Sequence, residues 1–207
     1  MFEALPFSAL VLAGGQSSRM GRDKALLPMT GQTLLERISR QAGLLFEETI
    51  VVVNDCSKVD CLDLGNAKVF KDIFAHRGPM AGIYTGLVQS QKNACCVLTC
   101  DMPFVDANLL QRLCDGWTRG CDAACFQESL GTYLPFPGVY SRSARFLIRR
   151  LLENHENAMH HFLDTARVKA VPLGQVNREA LFNMNTPEDY QGALKHERRG
   201  RLSWIPS

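Results

Sequence analysis

The sequence predicts a three-layer α/β fold, in which a mostly parallel β-sheet is covered by helices on both faces. Three observations predict it. Apolar, strand-like runs alternate with amphipathic, helix-like segments along the chain. One run, ACCVLTC, is apolar throughout, as expected for a central strand that is buried on both faces. Polar residues directly follow the strand-like runs, at the edge where open α/β sheets bind ligands.

The first half of the chain provides four strands and two helices. Strands are predicted at SALVLAG, ETIVVVN, AKVFKD and ACCVLTC. Between the first two, TLLERISRQAG is predicted to form a helix with one apolar face that stops at Gly43. GPMAGIYTGLVQSQ is predicted to form the second helix, because Pro79 suits its first turn.

The second half continues the alternation. Asp106 is the predicted N-cap of the helix ANLLQRLCDGW, with Val105 and Leu110 spaced for a hydrophobic staple. CDAACF, YLPFPGVY and ARVKAVPL are further strand candidates, and SRSARFLIRRLLENH is an amphipathic helix. The last helix, TPEDYQGALKH, opens with Thr186 as cap and Asp189 as its capping-box partner.

The 207 residues are expected to form a single domain over 1–194, followed by a basic tail over 195–207. The formal net charge of +2 is too small to indicate nucleic-acid binding. No apolar run approaches the ~20 residues of a membrane helix, so no membrane association is expected. Glu3 stands where a signal peptide would carry basic residues, and a cytoplasmic location is therefore expected.

Eight cysteines are present, but the expected cytosolic location and the size of the chain argue against a disulfide framework. No C-x-x-C pair occurs, so no structural zinc site is expected. Cys95, Cys96 and Cys100 lie in or beside an apolar run. We interpret the set as small hydrophobic residues.

The stretch VLAGGQSSRMGRDKALL at 11–27 is the first candidate site. Glycines after a strand let the backbone approach a ligand, and successive N–H groups in such a turn bind anions. Arg19, Arg22 and Lys24 add positive charge, which suits a triphosphate. The spacing G-G-x5-G-x2-K matches neither the Walker loop nor the dinucleotide fingerprint.

Asp101 is the second candidate, because VLTCDMPFVD places a carboxylate at the end of a buried strand. Burying a carboxylate there costs free energy unless it is paired or binds a metal ion. Mg²⁺ is a suitable ion because it prefers oxygen ligands. Near the end of the chain, FNMNTPED holds Asn183 and Asn185 two residues apart, hence on one face if that segment is extended.

Six blocks together resemble one family. LAGGQSSRMGRDKALLP, VVVN, KD, RGPMAGI, LTCDMPFVD and FNMNTPED occur in the order seen in the molybdenum cofactor guanylyltransferases, of the nucleotidyltransferase superfamily. The resemblance covers nearly the whole chain. It implies a Rossmann-like nucleotidyltransferase fold.

The resemblance also implies an activity and its partners. The reaction would be the Mg²⁺-dependent transfer of GMP from GTP to the phosphate of a molybdopterin acceptor, releasing pyrophosphate. Mg²⁺ is the implied cofactor, and GTP and the acceptor are the implied substrates. Transient contacts with other cofactor-biosynthesis proteins or molybdoenzymes are implied as well.

Residue roles follow from the same resemblance. Arg19, Lys24 and Asp101 are the candidate catalytic residues, with Asp101 as metal ligand. Asn183 and Asn185 are candidates for a second metal contact or an acceptor contact. The candidate nucleotide-binding residues are Leu12, Ala13, Gly14, Gly15, Lys24, Asn54, Asp72 and Asp101.

Alternatives stay open from the residues alone. One alternative is a nucleotidyltransferase with another base or acceptor, which would carry the same loop and Asp101. Another is a catalytically silent nucleotide-binding partner. Arg142 and Arg145 are candidate ligands of the acceptor phosphate, although arginines are more commonly found on an exposed helix face without such a role. The family often has a His-Pro segment where this chain has Tyr133-Leu134-Pro135.

Overall fold

The computed structural model describes residues 4–14, 23–128, 131–174 and 178–198. Within these ranges the chain forms nine strands and six α-helices. The strands are β1 (Leu5–Leu12), β2 (Pro28–Met29), β3 (Gln32–Thr33), β4 (Phe46–Val53), β5 (Lys68–Lys71), β6 (Ala94–Thr99), β7 (Ala123–Gln127), β8 (Tyr133–Ser141) and β9 (Val168–Pro172). The helices are α1 (Leu34–Leu45), α2 (Pro79–Gln89), α3 (Ala107–Gly116), α4 (Arg145–Glu153), α5 (Met159–Thr165) and α6 (Pro187–Arg198).

Seven of the strands form one sheet in the order β5-β4-β1-β6-β8-β7-β9. β8 is antiparallel to both of its neighbours, and every other pairing in the sheet is parallel. The predicted mostly parallel sheet is therefore confirmed. We call the edge where the parallel strands end the carboxyl edge, and the opposite one the amino edge.

Helices cover both faces of this sheet, which confirms the three-layer prediction. α1 and α3 bury their apolar residues on one face, and α2, α4 and α5 on the other. β1 contributes to both layers, because Ala9 and Val11 point to the first face while Leu10 and Leu12 point to the second. This double burial explains why its sequence is apolar without alternation.

Two glycines bring α2 unusually close to β1. A Cβ atom on Gly82 would lie 2.9 Å from a Leu12 methyl group, and one on Gly86 would lie 2.2 Å from a Leu10 methyl group. Both leucines are buried in the core. The spacing G-I-Y-T-G therefore gives the helix a flat side that packs directly against the central strand.

The predicted helix caps are confirmed. Asp106 accepts a hydrogen bond from the Leu109 N–H at 2.7 Å and begins α3. At α6, Thr186 accepts from the Asp189 N–H, and the Asp189 carboxylate accepts from the Thr186 N–H. This reciprocal pair is the predicted capping box.

Three local predictions differ from the structure. α1 does not stop at Gly43 but runs to Leu45, because buried Phe46 continues directly into β4. α5 and the two-residue hairpin of β2 and β3 were not predicted from the sequence. α6 continues past residue 194 to Arg198, so the start of the predicted tail is helical. The division at 194 stays a prediction, and 199–207 lie outside the described residues.

All eight cysteines carry free thiols, and five of them are buried. Burial raises the pKa of the Cys95 thiol to about 11. The five buried cysteines pack as small apolar groups, as predicted, whereas Cys61 is exposed. No described helix combines the length and apolar character that a membrane span requires.

Buried polar residues join three elements at the amino edge. Ser8 donates to the Glu48 carboxylate at 2.5 Å and shares a hydrogen bond with Ser90 at 2.7 Å. Burial raises the pKa of Glu48, but hydrogen bonds from Ser8, the Gln91 N–H and Lys68 outweigh it, so the pKa is lowered overall. Glu48 is therefore ionised in the folded protein at neutral pH.

The approach of α2 to β1 can be tested with Gly86→Ala. Its new methyl group would overlap Leu10, so we expect a loss of about 1–3 kcal/mol in the free energy of unfolding, measured by urea denaturation. Gly192→Ala in α6 is the control, because a Cβ atom added there would have no described neighbour within 4 Å. It should stabilise the helix by about 0.5–1 kcal/mol. Equal effects of the two substitutions would contradict the packing argument.

The amino-edge network predicts a pH dependence. A carboxyl whose pKa is lower in the folded than in the unfolded state contributes stability above the unfolded pKa. It loses that contribution as the pH falls through the folded pKa. Glu48→Gln should therefore cost about 1–3 kcal/mol near pH 7, and the cost should shrink as the pH falls below the pKa of an unfolded glutamate, measured by urea denaturation.

The control for this prediction is Glu47→Gln. Glu47 pairs with Lys92 at the surface, and its effect should stay below about 1 kcal/mol. A cost of Glu48→Gln that does not change with pH would show that the charge of Glu48 is not involved.

Candidate active site

The candidate site is a cavity of ≈ 340 Å³ at the carboxyl edge, which we call the first cavity. β1 and β6 end there, side by side at the centre of the sheet. The residues that line it are Leu12, Ala13, Gly14, Asp23, Lys24, Ala25, Pro79, Thr99, Cys100, Asp101, Leu134, Pro135, Phe136 and Asn183. The sequence predicted a ligand site at this edge, and six of its candidate residues meet here.

Lys24 and Asp101 are in direct contact. The Lys24 Nζ lies 3.6 Å from Asp101 Oδ2 and donates a hydrogen bond to Asn185 Oδ1 at 2.8 Å. The side chain of Lys24 is 19% exposed and that of Asp101 is 28% exposed. Because the pair is largely shielded from water but open to the cavity, its charges act strongly on any ligand there.

A short 3₁₀ helix, Lys24–Leu26, holds Lys24 in place. Asp23 caps this helix by accepting a hydrogen bond from the Ala25 N–H at 3.2 Å. Ala25 and Leu27 are buried, so the segment that carries Lys24 is anchored in the core. Asp23 also lines the cavity, although it was not among the candidate residues predicted from the sequence.

The late segment with the two asparagines is tied to the end of β6. The Met184 N–H donates to the Asp101 carbonyl at 2.7 Å, and buried Met184 anchors the segment. The Asp189 carboxylate accepts from the Asn185 N–H at 2.8 Å, and this bond is the first cause of its lowered pKa. Asn183 consequently lines the cavity, and Asn185 binds Lys24.

Gly14 and Asn54 meet beside the cavity. A Cβ atom on Gly14 would lie 3.1 Å from Asn54 Nδ2, so the glycine leaves space for the amide. Asn54 follows β4 and does not line the first cavity. Gly15 and Arg19, which belong to the predicted phosphate loop, lie outside the described residues.

Asp72 follows β5 at the same edge but outside the first cavity. Its backbone N–H donates to the Val53 carbonyl at 2.8 Å, which extends the sheet pairing by one residue. Asp72 Oδ1 accepts from Thr85 Oγ1 at 2.8 Å and from the Phe74 N–H at 3.1 Å. Thr85 was not among the residues predicted from the sequence.

A second cavity of ≈ 730 Å³ adjoins the first, and the two share Leu134, Phe136 and Asn183. The shared wall is a bulge, because the pairing of β7 with β8 jumps from Gly138 to Leu134. Buried Tyr140 supports the bulge by donating to the Pro135 carbonyl at 2.7 Å. The prolines that flank Phe136 were the sequence signal for this interruption.

The suggestion that Arg142 and Arg145 bind the acceptor phosphate is wrong. β8 runs antiparallel to β6, so its last residue, Ser141, pairs with the first residue of β6, Ala94. The Arg142 N–H then donates to the Asn93 carbonyl. Both arginines therefore lie at the amino edge of the sheet, opposite the carboxyl edge where the two cavities are found.

The oxygen atoms around Lys24 suit a hard divalent cation. Asp101 and Asn185 already hold one positive charge, the Lys24 ammonium, through a carboxylate and an amide oxygen. Such oxygens are the ligands that Mg²⁺ prefers, and Mg²⁺ commonly needs only one or two carboxylates plus substrate phosphates. Within the described ranges, no group of three or more His, Cys, Asp or Glu side chains could hold a metal alone.

The fold and the site define a nucleotidyltransferase: a mostly parallel sheet whose carboxyl edge brings together Gly14, a lysine and an aspartate. More specifically, the chain belongs to the family of the MobA-like NTP transferase domain, whose model matches residues 9–170. The resemblance that the six sequence blocks indicate is thereby confirmed.

Individual relatives are similar over nearly their full length. A protein of Pelotomaculum thermopropionicum named "Probable molybdenum cofactor guanylyltransferase" is 31% identical over 97% of this chain and 99% of its own. One of the same name from Carboxydothermus hydrogenoformans is 30% identical over 89% of this chain and 93% of its own. The crystal structure of molybdopterin-guanine dinucleotide biosynthesis protein A from Archaeoglobus fulgidus has a TM-score of 0.81 at 26% identity, covering 93% of this chain and 100% of that one.

Proposed function

We propose that this protein transfers GMP from GTP to the terminal phosphate of a molybdopterin acceptor and releases pyrophosphate. The observation that carries the proposal is the contact between Lys24 and Asp101 within one cavity at the carboxyl edge. The names of its relatives indicate the base and the acceptor. A cytoplasmic location and transient contacts with other cofactor-biosynthesis proteins are part of the same proposal.

The chemistry requires charge neutralisation rather than a strong base. The attacking group is a phosphate, which is already ionised near neutral pH, so its proton need not be removed. The barrier comes from bringing two anions together and from charge that develops on the leaving pyrophosphate. Positive groups fixed in advance lower this barrier without reorganising during the reaction.

Lys24 is the positive group that the described residues offer to the phosphates. Its capped 3₁₀ helix and its bonds to Asp101 and Asn185 hold the ammonium at the cavity wall before substrate binds. A lysine acts as a compact point charge, which suits the stabilisation of a leaving polyphosphate. We propose Arg19 as a second cation and the turn at Gly14 and Gly15 as the backbone cradle.

Asp101 has the complementary role. Together with Asn183 or Asn185 and the substrate phosphates, it would hold Mg²⁺, which would neutralise phosphate charge and polarise the α-phosphate. Asp101 also contacts the Lys24 ammonium, so its negative charge both orients this side chain and partly neutralises it before substrate binds. Leu12, Ala13, Asn54 and Asp72 are the proposed contacts of the nucleoside.

The second cavity is the proposed acceptor site. It shares a wall with the first cavity, so a group bound there has access to the nucleotide phosphates. Apolar side chains such as Leu173 and Leu181 line it together with polar Gln127 and Arg178. Such a mixture suits a pterin ring system that carries a phosphate.

The base and acceptor can be tested directly. We expect that incubation with Mg²⁺, molybdopterin and each of the four NTPs in turn will give a dinucleotide product only with GTP, identified by mass spectrometry. A product with another NTP alone would establish a nucleotidyltransferase of different base specificity. GTP binding without pyrophosphate release would favour a catalytically silent partner, and both results would contradict the proposed reaction.

The roles of Lys24 and Asp101 can be tested by substitution. Lys24→Ala and Asp101→Asn should each lower the rate of pyrophosphate release by about 10²–10³-fold, because each removes a fixed charge from the cavity. Folding of both variants should be verified by circular dichroism.

Two matched controls make the comparison specific. Lys92→Ala and Asp122→Asn each remove one partner of an ion pair at or near the amino edge, with Glu47 and Arg167 respectively. Both controls should keep turnover within about twofold of wild type. Wild-type turnover by Asp101→Asn would refute its assigned role.

A further inference from the structure

Thr85 is a completely buried polar side chain in the middle of α2, and the proposed reaction does not use it. Its hydroxyl donates to Asp72 Oδ1 at 2.8 Å and accepts from the Ile73 N–H at 3.0 Å. It therefore bonds to two consecutive residues of the segment that follows β5. A buried hydroxyl with two such partners is fixed in direction.

The direction of the Thr85 proton follows from these two bonds. A threonine hydroxyl has one hydrogen to donate, and a backbone N–H can only donate. Because Ile73 supplies a donor, the hydroxyl oxygen must accept there, and its hydrogen is directed to Asp72. The Phe74 N–H binds the same carboxylate oxygen, so Asp72 Oδ1 has two donors within 3.1 Å.

The glycines of α2 make this contact possible. Gly82 and Gly86 allow the helix to pack directly on β1. Thr85 directly precedes Gly86 and, like both glycines, is a buried residue of α2. A helix held farther from the sheet by larger side chains would move the Thr85 hydroxyl away from the end of β5. The segment GIYTG thus contains both the glycines that pack against β1 and the threonine that contacts Asp72 at the carboxyl edge.

We infer that Thr85 is a positioning residue, which holds the Asp72 carboxylate oriented for hydroxyl or N–H donors of the nucleoside. This inference rests on the proposed function, in which Asp72 contacts the nucleoside. Fixing one oxygen of a carboxylate limits its rotation, so less conformational entropy is lost when the other oxygen accepts from a ligand. The effect belongs to nucleotide binding and not to the transfer of the guanylyl group.

The test compares Thr85→Val with Thr85→Ser. Valine keeps the shape and removes both hydrogen bonds, whereas serine keeps the hydroxyl. We expect Thr85→Val to raise the Kd for GTP, measured by calorimetry, and the KM for GTP about 5- to 30-fold, with kcat changed less than about twofold. In Thr85→Ser, which keeps the hydroxyl, both constants should stay within about threefold of wild type.

A threonine elsewhere serves as the matched control. Thr49 on β4 has a buried hydroxyl to which the described residues offer no hydrogen-bond partner, so Thr49→Val makes the same chemical change away from Asp72. It should leave the Kd for GTP unchanged. If Thr85 acts through Asp72, Thr85→Val should also have no further effect on this Kd in an Asp72→Ala background.

Each outcome separates the inference from the proposed function. Failure of wild-type protein to bind GTP would overturn the proposed function itself. Wild-type binding with an unchanged Kd for folded Thr85→Val would overturn only the role of Thr85. Equal weakening by Thr85→Val and Thr49→Val, or additive effects of Thr85→Val and Asp72→Ala, would also overturn it, since a general loss of stability would then be the cause.

Discussion

The contact of the Lys24 ammonium with Asp101 and Asn185 is the interaction on which the site depends. It joins three segments that are far apart in the chain: the 3₁₀ helix Lys24–Leu26, the end of β6 and the segment before α6. A parallel sheet makes this possible, because its central strands end at the same edge. In the proposed reaction, the ammonium in this cavity would face phosphate groups and the carboxylate would bind a metal ion, which are the two requirements of nucleotidyl transfer.

The arrangement of strands and helices could be predicted from the sequence, because it depends on local patterns. The apolar run of β6 corresponds to a strand buried on both faces, and Asp106 and Thr186 cap their helices as their spacing indicates. The position of the site was predictable for the same reason. Once the strands are parallel, residues that follow them, such as Gly14 and Asp101, must meet at one edge.

Features that depend on tertiary contacts could not be predicted. The direction of β8 determines where Arg142 lies, and no local pattern in the sequence gives that direction. Gly43 resembles a helix stop, yet the entry of Phe46 into the sheet determines where α1 ends. Thr85 is one polar residue in an apolar helix, and its significance becomes apparent only when the folded chain brings it to Asp72.

A crystal structure with GTP and Mg²⁺ would test the central claim most directly. We predict that the triphosphate lies in the first cavity, with the Lys24 ammonium on phosphate oxygens and the metal ion bound to Asp101. The nucleoside should extend toward Asn54 and Asp72 along the carboxyl edge. A nucleotide bound at another surface, or one in this cavity that contacts neither Lys24 nor Asp101, would contradict the account.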